Sequence, residues 1–263
     1  MLRLLPSGPD RVGKAFARAS LSRADLVAPL VRCNPARSRG NRFPLAVFPA
    51  KTTIMTKRGY HHGNLKQALV EAALTLIADR GPHGFTMAEA AKLADVSAAA
   101  PYRHFTGRED LITELARQGF ILFADLLEYA YKDGQPSPLA AFEAVGRAYL
   151  AFARAHPGHY VAMFESGISP RATSELAAAS ARANGVLLRA AADLSARIPE
   201  AQRPPPEMFA AHISAMSHGI VELHARGAPG ARAPFSPEDL LESGIGIYLR
   251  GLGLLTQDDP PDP

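Results

Sequence analysis

From Asn64 onward the chain is punctuated by helix starts and by little else, and that pattern leaves few folds open. Asn64 and Gln67 have the spacing of a capping box ahead of Leu65, Leu69, Ala72, Ala73 and Leu76, which fall along one helical face. Gly81-Pro82-His83-Gly84 ends that helix. Thr86 with Glu89 repeats the box for a short helix over 87–94, Ser97 offers an N-cap for a third over 98–105, and Thr106 with Glu109 opens a long fourth. The fourth carries Leu111, Leu115, Ile121, Leu122, Leu126 and Leu127. Ser137-Pro138, Ser169-Pro170 and Ser236-Pro237-Glu238-Asp239 each pair a capping serine with proline at the first helical position, where its missing N–H costs least. The alanine-rich stretch 176–194 gains an apolar face from Leu176, Val186, Leu187, Leu188 and Leu194. No strand alternation with hairpin turns occurs, so the expected class is all-α.

The charge balance separates the first 55 residues from the rest. The whole chain carries +4, but ten bases against two acids give residues 1–55 a net +8. Residues 56–108 hold seven bases and four acids, +3, which leaves −7 for the remainder. The basic pI of 9.3 therefore belongs mainly to the N-terminal tail and says little about partners. That tail mixes Arg, Pro, Ser and Gly without a sustained period and reads as disordered. Three readings fit it: a transit peptide, a basic arm for phosphates, or residues upstream of a true start at Met55, which is favoured because periodic sequence begins just after it. The single cysteine, Cys33, excludes an intrachain disulfide, and no run of about 18 apolar residues calls for a membrane span.

The helices at 86–105 have the lengths and tight turn, Asp95-Val96-Ser97, of a helix-turn-helix. Ala90, Ala91 and Val96 are small enough for close approach. The stretch GFTMAEAAKLADVSAAAPYRHFTGREDLITELA closely resembles the N-terminal domain of the tetracycline-repressor (TetR/AcrR) family of transcriptional regulators. Phe85-Thr86, Val96-Ser97, Tyr102-Arg103-His104-Phe105 and Arg108-Glu109 carry the match, which extends over about 58–120. Two positions depart from it: Asp95 stands where glycine is usual, and Pro101 where a branched aliphatic residue is common.

The resemblance implies three parts beyond the tail at 1–55: a three-helix DNA-binding domain over 56–108, a larger helical ligand-binding and dimerisation domain over 109–256, and a disordered end at 257–263. It implies phosphate contacts from Thr86, Tyr102, His104 and Arg108, whose hydroxyls and fork of donors suit phosphate oxygens. Arg58 is a further candidate on the backbone; Arg103 is either solvent-facing or a second contact. Base readout falls to Ala88, Ala98, Ala99 and Ala100, whose methyls can meet thymine but cannot hydrogen-bond. Phe105 is expected to pack inside, and adjacent His61 and His62 do not share a helix face as metal ligands would.

Ser217-His218-Gly219 resembles a Trp-His-Gly motif of one C-terminal domain type, with serine in place of tryptophan. The resemblance further implies a homodimer on double-stranded DNA, paired through helices over about 206–225 and 237–255. Ile213, Met216, Ile220, Leu223, Leu240, Leu241, Ile245, Ile247, Leu249, Leu252 and Leu255 supply their apolar surface. An unknown small-molecule effector is expected among Phe123, Phe142, Tyr149, Phe152, Tyr160, Met163, Phe164 and His212, with a kink at Pro157-Gly158 relaying its presence. The expected function is an effector-responsive dimeric regulator, a repressor, placed in the cytoplasm and on the nucleoid when bound to DNA, with no membrane, metal or cofactor. The alternative is a protein-interaction module whose helix-turn-helix no longer binds DNA. An enzyme is disfavoured because no Gly-rich phosphate loop, zinc-spaced Cys/His set or G-x-S-x-G occurs.

Overall fold

The computed structural model describes residues 65–225 and 234–255, and every regular element among them is helical. In chain order these are α1 (Leu65–Arg80), α2 (Met87–Leu93), a 3-10 turn (Ala100–Arg103), α3 (Arg108–Tyr131), α4 (Pro138–Ala155), α5 (Pro157–Phe164), α6 (Ser174–Ser195), α7 (Pro206–Ala225) and α8 (Pro237–Gly251). Short 3-10 turns at Lys132–Gly134 and Glu200–Gln202 join α3 to α4 and α6 to α7. Asn64, Arg58, His61 and His62 lie outside the described residues.

Local chemistry accounts for the ends. Gly81 takes φ 75° and stops α1, its N–H returning to the Ile77 carbonyl at 2.9 Å. Thr86 and Glu89 form the complete capping box of α2. At the other end Asp95 accepts the left-handed conformation (φ 56°), with Val96 N–H on the Ala91 carbonyl and Asp95 N–H on that of Lys92. This paired closure is what the usual glycine provides; the short carboxylate side chain tolerates it. Ser236 and Asp239 make a second capping box on α8, and Ser137 caps α4 ahead of Pro138.

Several expected starts and lengths change. Over 98–105 the chain forms a four-residue 3-10 turn, not an α-helix, because Pro101 has no N–H to give the Ser97 carbonyl; Ala100 bonds Ser97 instead, at 2.9 Å. Thr106 pairs with Asp110 rather than Glu109, its N–H reaching the carboxylate at 2.8 Å, while Gly107 is the backbone cap. Ser169-Pro170 makes only a turn, and α6 begins at Ser174 because the Thr173 hydroxyl accepts from Leu176 N–H. The last helix ends at Gly251, not near 255, where Gly253 turns left-handed at φ 71°.

The 24-residue α3 runs through the centre. Its Leu111, Leu115, Phe123 and Leu127 are fully buried among α4, α5 and α6. One continuous apolar core extends from Leu69 and Ile77 in α1, through Phe85 and Phe105, to Ile245 and Leu249 in α8. Removing water from that surface stabilises by about 25 cal/mol per Å² of apolar area. A polar knot then ties α1 to α3 beside this core. Glu114 accepts two bonds from Arg117, both at 2.8 Å, one from Gln118 at 2.9 Å, and meets Lys66 at 3.4 Å. The Arg117 hydrogen bonds hold its carboxyl down at about 2. A depressed carboxylate contributes above its unfolded value near 4.5 and loses that contribution as pH falls through about 2. Acid titration should therefore cost up to ~3 kcal/mol through this group over that window, at about 1.36 kcal/mol per unit. Chemical denaturation at pH 7 and pH 3 checks it: Glu114→Gln should flatten the difference.

Candidate nucleic-acid interface and regulatory core

The helix-turn-helix places its sequence-predicted residues on two different footings. Tyr102 is 60% exposed, and Arg103 and His104 beside it are exposed as well, at the end of the 3-10 turn. Phe105 turns inward and is buried, with the Lys66 ammonium 5.8 Å above its ring. That anchor fixes the direction of its three neighbours. Ala88, Ala98 and Ala99 are exposed and Ala100 is half-buried, so three of the four alanines present methyls to solvent beside Tyr102. Arg103 and Lys92 have no ion-pair or hydrogen-bond partner for their side chains among the described residues, whereas Arg80 pairs with Glu89 at 2.9 Å.

Two expected phosphate contacts also have structural roles within the chain. The Thr86 hydroxyl accepts from Glu89 N–H at 3.2 Å and donates to the Glu89 carboxylate at 3.0 Å. The Thr86 backbone N–H, donating to the same carboxylate at 2.8 Å, and after it the Thr86 hydroxyl hold the Glu89 carboxyl below the usual carboxylate range. Arg108 points its guanidinium at the carbonyls of His83 (3.3 Å) and Phe85 (3.4 Å) and at His83 Nδ1 (3.4 Å). Because arginine has no acceptor, His83 Nδ1 accepts there. Arg108 thus ties the first turn of α3 to the loop after α1. The Thr86 cap was legible in the sequence from its spacing to Glu89; the Arg108 tie was not, because a guanidinium at a helix start reads equally as a phosphate donor.

The expected effector residues divide into two groups. Phe123, Tyr149, Phe152, Tyr160 and Phe164 form one aromatic cluster, with centroid separations of 4.9–6.4 Å, and buried Met163 lies on the same short helix. Phe142 and His212 belong elsewhere: Phe142 packs on Phe209, Phe209 on Tyr248, and exposed His212 bonds the Tyr248 hydroxyl at 2.8 Å. Sequence spacing missed Phe120 and the polar member, His218, which stacks on Tyr160 and hydrogen-bonds its hydroxyl. Burial raises the Tyr149 phenol to about 12, and Tyr160 still higher. Both stay neutral hydrogen-bonding groups at ordinary pH.

Helix α5 stands between this cluster and the DNA-binding end. A Cβ on Gly158 would come within 2.4 Å of the Leu74 carbonyl oxygen of α1, and one on Gly119 of α3 within 2.6 Å of Met163 Sδ. His159 is buried between them and hydrogen-bonds the Leu115 carbonyl at 3.0 Å, its own basicity lowered by burial. Of the apolar residues expected to supply a dimer surface, Ile213, Ile220, Leu241, Ile245 and Leu249 are buried in this chain's own core. Leu223 and Ile247 are exposed, and Met216, Leu240, Leu252 and Leu255 are half-buried. Gly219 faces open space. Among the described residues no three His, Cys, Asp or Glu side chains gather as a metal site, and no helix is long and apolar enough to cross a membrane.

Two family descriptions match the sequence: "Bacterial regulatory proteins, tetR family" over residues 69–115, and "Tetracyclin repressor-like, C-terminal domain" over 142–248. No curated protein sequence matches the chain. Among solved structures, a protein of unknown function from Rhodococcus sp. RHA1 is 28% identical, over 74% of this chain and 99% of its own, with a TM-score of 0.61. AibR in complex with isovaleryl coenzyme A and operator DNA is 20% identical, over 70% and 97%, at 0.54. The TetR family transcriptional regulator PfmR from Thermus thermophilus is 18% identical, over 70% and 98%, at 0.53. The first family match spans the helix-turn-helix and the second takes in α5 and most of the aromatic cluster, so the two halves agree: the chain belongs to the tetR family of bacterial regulatory proteins, as a DNA-binding transcriptional regulator.

Proposed function

We propose that the protein is a homodimeric repressor that holds a near-palindromic operator and is released by a small-molecule effector. The observation that carries the DNA side is the exposed trio Tyr102, Arg103 and His104 standing beside the alanine methyls of Ala88, Ala98 and Ala99. Tyr102 and His104 clamp phosphates and set register; the methyls meet thymine methyls and fit groove shape. Arg103 adds a third phosphate contact, and Thr86 and Arg108 act one step back by fixing α2 and the loop before it. Arg58, outside the described residues, extends the backbone contact.

Pairing of two such heads follows from the outer face of α7 and α8. Ala211, Ala215, Gly219 and Leu223 fall at four-residue spacing along α7, all exposed, with exposed Ile247 on α8. Small residues in that row let a second copy approach closely. The two heads then meet successive major grooves, about 34–36 Å apart. The aromatic cluster around Tyr149, Tyr160, Met163 and Phe164 is the effector region, because α5 carries its last three members and touches α1 through Gly158. Effector release works by differential affinity for the two head arrangements. AibR, bound to operator DNA and isovaleryl coenzyme A, supports a ligand-responsive reading of this fold.

In vitro selection from random duplexes, using the full chain, tests the reading. The expected product is a near-palindrome with half-sites about 10–11 base pairs apart, thymine-rich at contacted positions, with each mismatch worth roughly 1 kcal/mol, the low end for base contacts. Selected sites dominated by guanine opposite Ala98 and Ala99 would overturn the placement of the turn. Recovery of no shared sequence would favour the protein-interaction module instead.

A further inference from the structure

Away from the aromatic cluster, a cavity of about 270 Å³ opens where three segments meet: the loop after α1, the first turn of α3, and the loop between α5 and α6. Its wall carries two adjacent, opposite charges, Arg108 and Glu109. Neither has a counter-ion among the described residues. Arg108 reaches only two carbonyls and a ring nitrogen, all at 3.3–3.4 Å, the long end of hydrogen bonding. The Glu109 side chain is exposed and has no hydrogen-bond or ion-pair partner among the described residues. Elsewhere Arg117, Arg182 and Arg189 each sit on a carboxylate within 2.6–2.8 Å.

Two of the other polar groups of the wall, Ser166 and Thr113, are engaged within the chain. The Ser166 hydroxyl donates to the Ala162 carbonyl at 2.7 Å and accepts from Ile168 N–H; the Thr113 hydroxyl donates to the Glu109 carbonyl at 2.8 Å. What the cavity offers a guest is one cation, one anion, the second ring nitrogen of His83, the Ser169 hydroxyl and an apolar side formed by Ile112 and Ile168. Its volume is room for roughly nine waters at ~30 Å³ each, and lies below the ~300 Å³ at which pockets for drug-sized ligands begin. A large anion such as a nucleotide does not fit, and a lone carboxylate leaves Glu109 opposed.

We infer that this junction cavity is a binding site for a small zwitterion, a free α-amino acid with an aliphatic side chain. Its carboxylate takes the guanidinium fork of Arg108, its ammonium takes the Glu109 carboxylate, and its side chain covers Ile112 and Ile168. Charge-assisted bonds of this kind are about twice as strong as neutral ones, and both poles are met at once. Because the wall joins the DNA-binding end to the α5–α6 loop, the guest bridges the two halves of the chain at a point separate from the aromatic cluster.

The test uses the full chain without DNA, so its outcome is independent of operator binding. L-Leucine is titrated while isoleucine methyl resonances are followed by NMR, beside 4-methylpentanoate, which lacks the ammonium, and 3-methylbutylamine, which lacks the carboxylate. Saturable shifts of Ile112 and Ile168 are expected, with leucine binding about tenfold or more tighter than either one-pole analogue. Glu109→Gln should bring leucine down to the affinity of 4-methylpentanoate without weakening that acid. Arg108→Lys, which keeps the charge but loses the fork, should weaken leucine and the acid alike. The inference is overturned if leucine, valine and alanine all leave Ile112 and Ile168 unmoved, if the shifts fall on other isoleucines, or if leucine binds no better than its one-pole analogues.

Discussion

Replacing Tyr102 and His104 together by alanine should lower operator affinity by roughly a thousandfold or more, with almost no change in stability. Each hydrogen bond to a charged phosphate contributes about 1.5–3 kcal/mol. Two per head and four per dimer give at least about 6 kcal/mol, which exceeds the ~4.2 kcal/mol that a thousandfold requires even if a quarter is lost to non-additivity. Both side chains are exposed, Tyr102 at 60%, so the folded state loses no packing. Surface substitutions of this kind stay within about 0.5 kcal/mol, which is a shift of about 1–2 °C in melting temperature. Fluorescence anisotropy at one fixed salt concentration, beside a melting curve, reads both quantities. A variant that still binds within threefold of the parent would remove the turn from the DNA.

Gly158→Ala should be the most damaging small change in the regulatory half. The added Cβ would meet the Leu74 carbonyl oxygen at 2.4 Å and its carbonyl carbon at 3.1 Å. Those are backbone atoms of α1 and cannot swing aside, so α5 must move away from α1. Overpacking typically costs about 1–3 kcal/mol, and a backbone obstacle puts this substitution at the upper end, about 3 kcal/mol. Gly119→Ala makes the comparison sharp. Its nearest obstacle, at 2.6 Å, is the sulfur of Met163, the end of a flexible side chain, so about 1 kcal/mol is expected. Urea unfolding of the two variants should rank them in that order; equal losses would show that α5 does not rest on α1 as described. Because α5 also carries Tyr160, Met163 and Phe164, the Gly158 variant should further weaken communication between effector and operator, read as a smaller effector-induced change in anisotropy.

Particular residues show where sequence reading succeeded. Thr86 with Glu89 is a capping box in the sequence and in the fold, and Ser236 is a cap in both, because the partners lie within three residues. Asp95 in the left-handed turn is likewise a local matter of φ. Ser169-Pro170 and Thr106-Glu109 have the same spacing logic but lost to nearby rivals, Thr173 and Asp110. A capping signal states that a start is possible, and competition among adjacent hydroxyls and carboxylates selects one. Pro101 carried a warning that the helix over 98–105 would tighten, since its missing N–H removes a bond wherever it stands.

By itself the sequence determined the all-α class, the helix-turn-helix and the family, because these rest on short-range spacing and on a contiguous motif from Phe85 to Glu109. It could not assign Arg108, which stands at the same helix start whether it meets a phosphate or the carbonyls of His83 and Phe85, 25 and 23 residues away. Nor could it separate Phe142 and His212 from the Tyr149–Tyr160 cluster, or bring His218 to Tyr160 across 58 residues. Those outcomes depend on which face each helix turns to its neighbours, and that is settled only when long-range burial fixes every helix against α3. The junction cavity is of the same kind: its two charges and Ile112 are near neighbours in sequence, but Ile168 on its apolar side comes from a loop nearly sixty residues further on, brought there by the packing of α5.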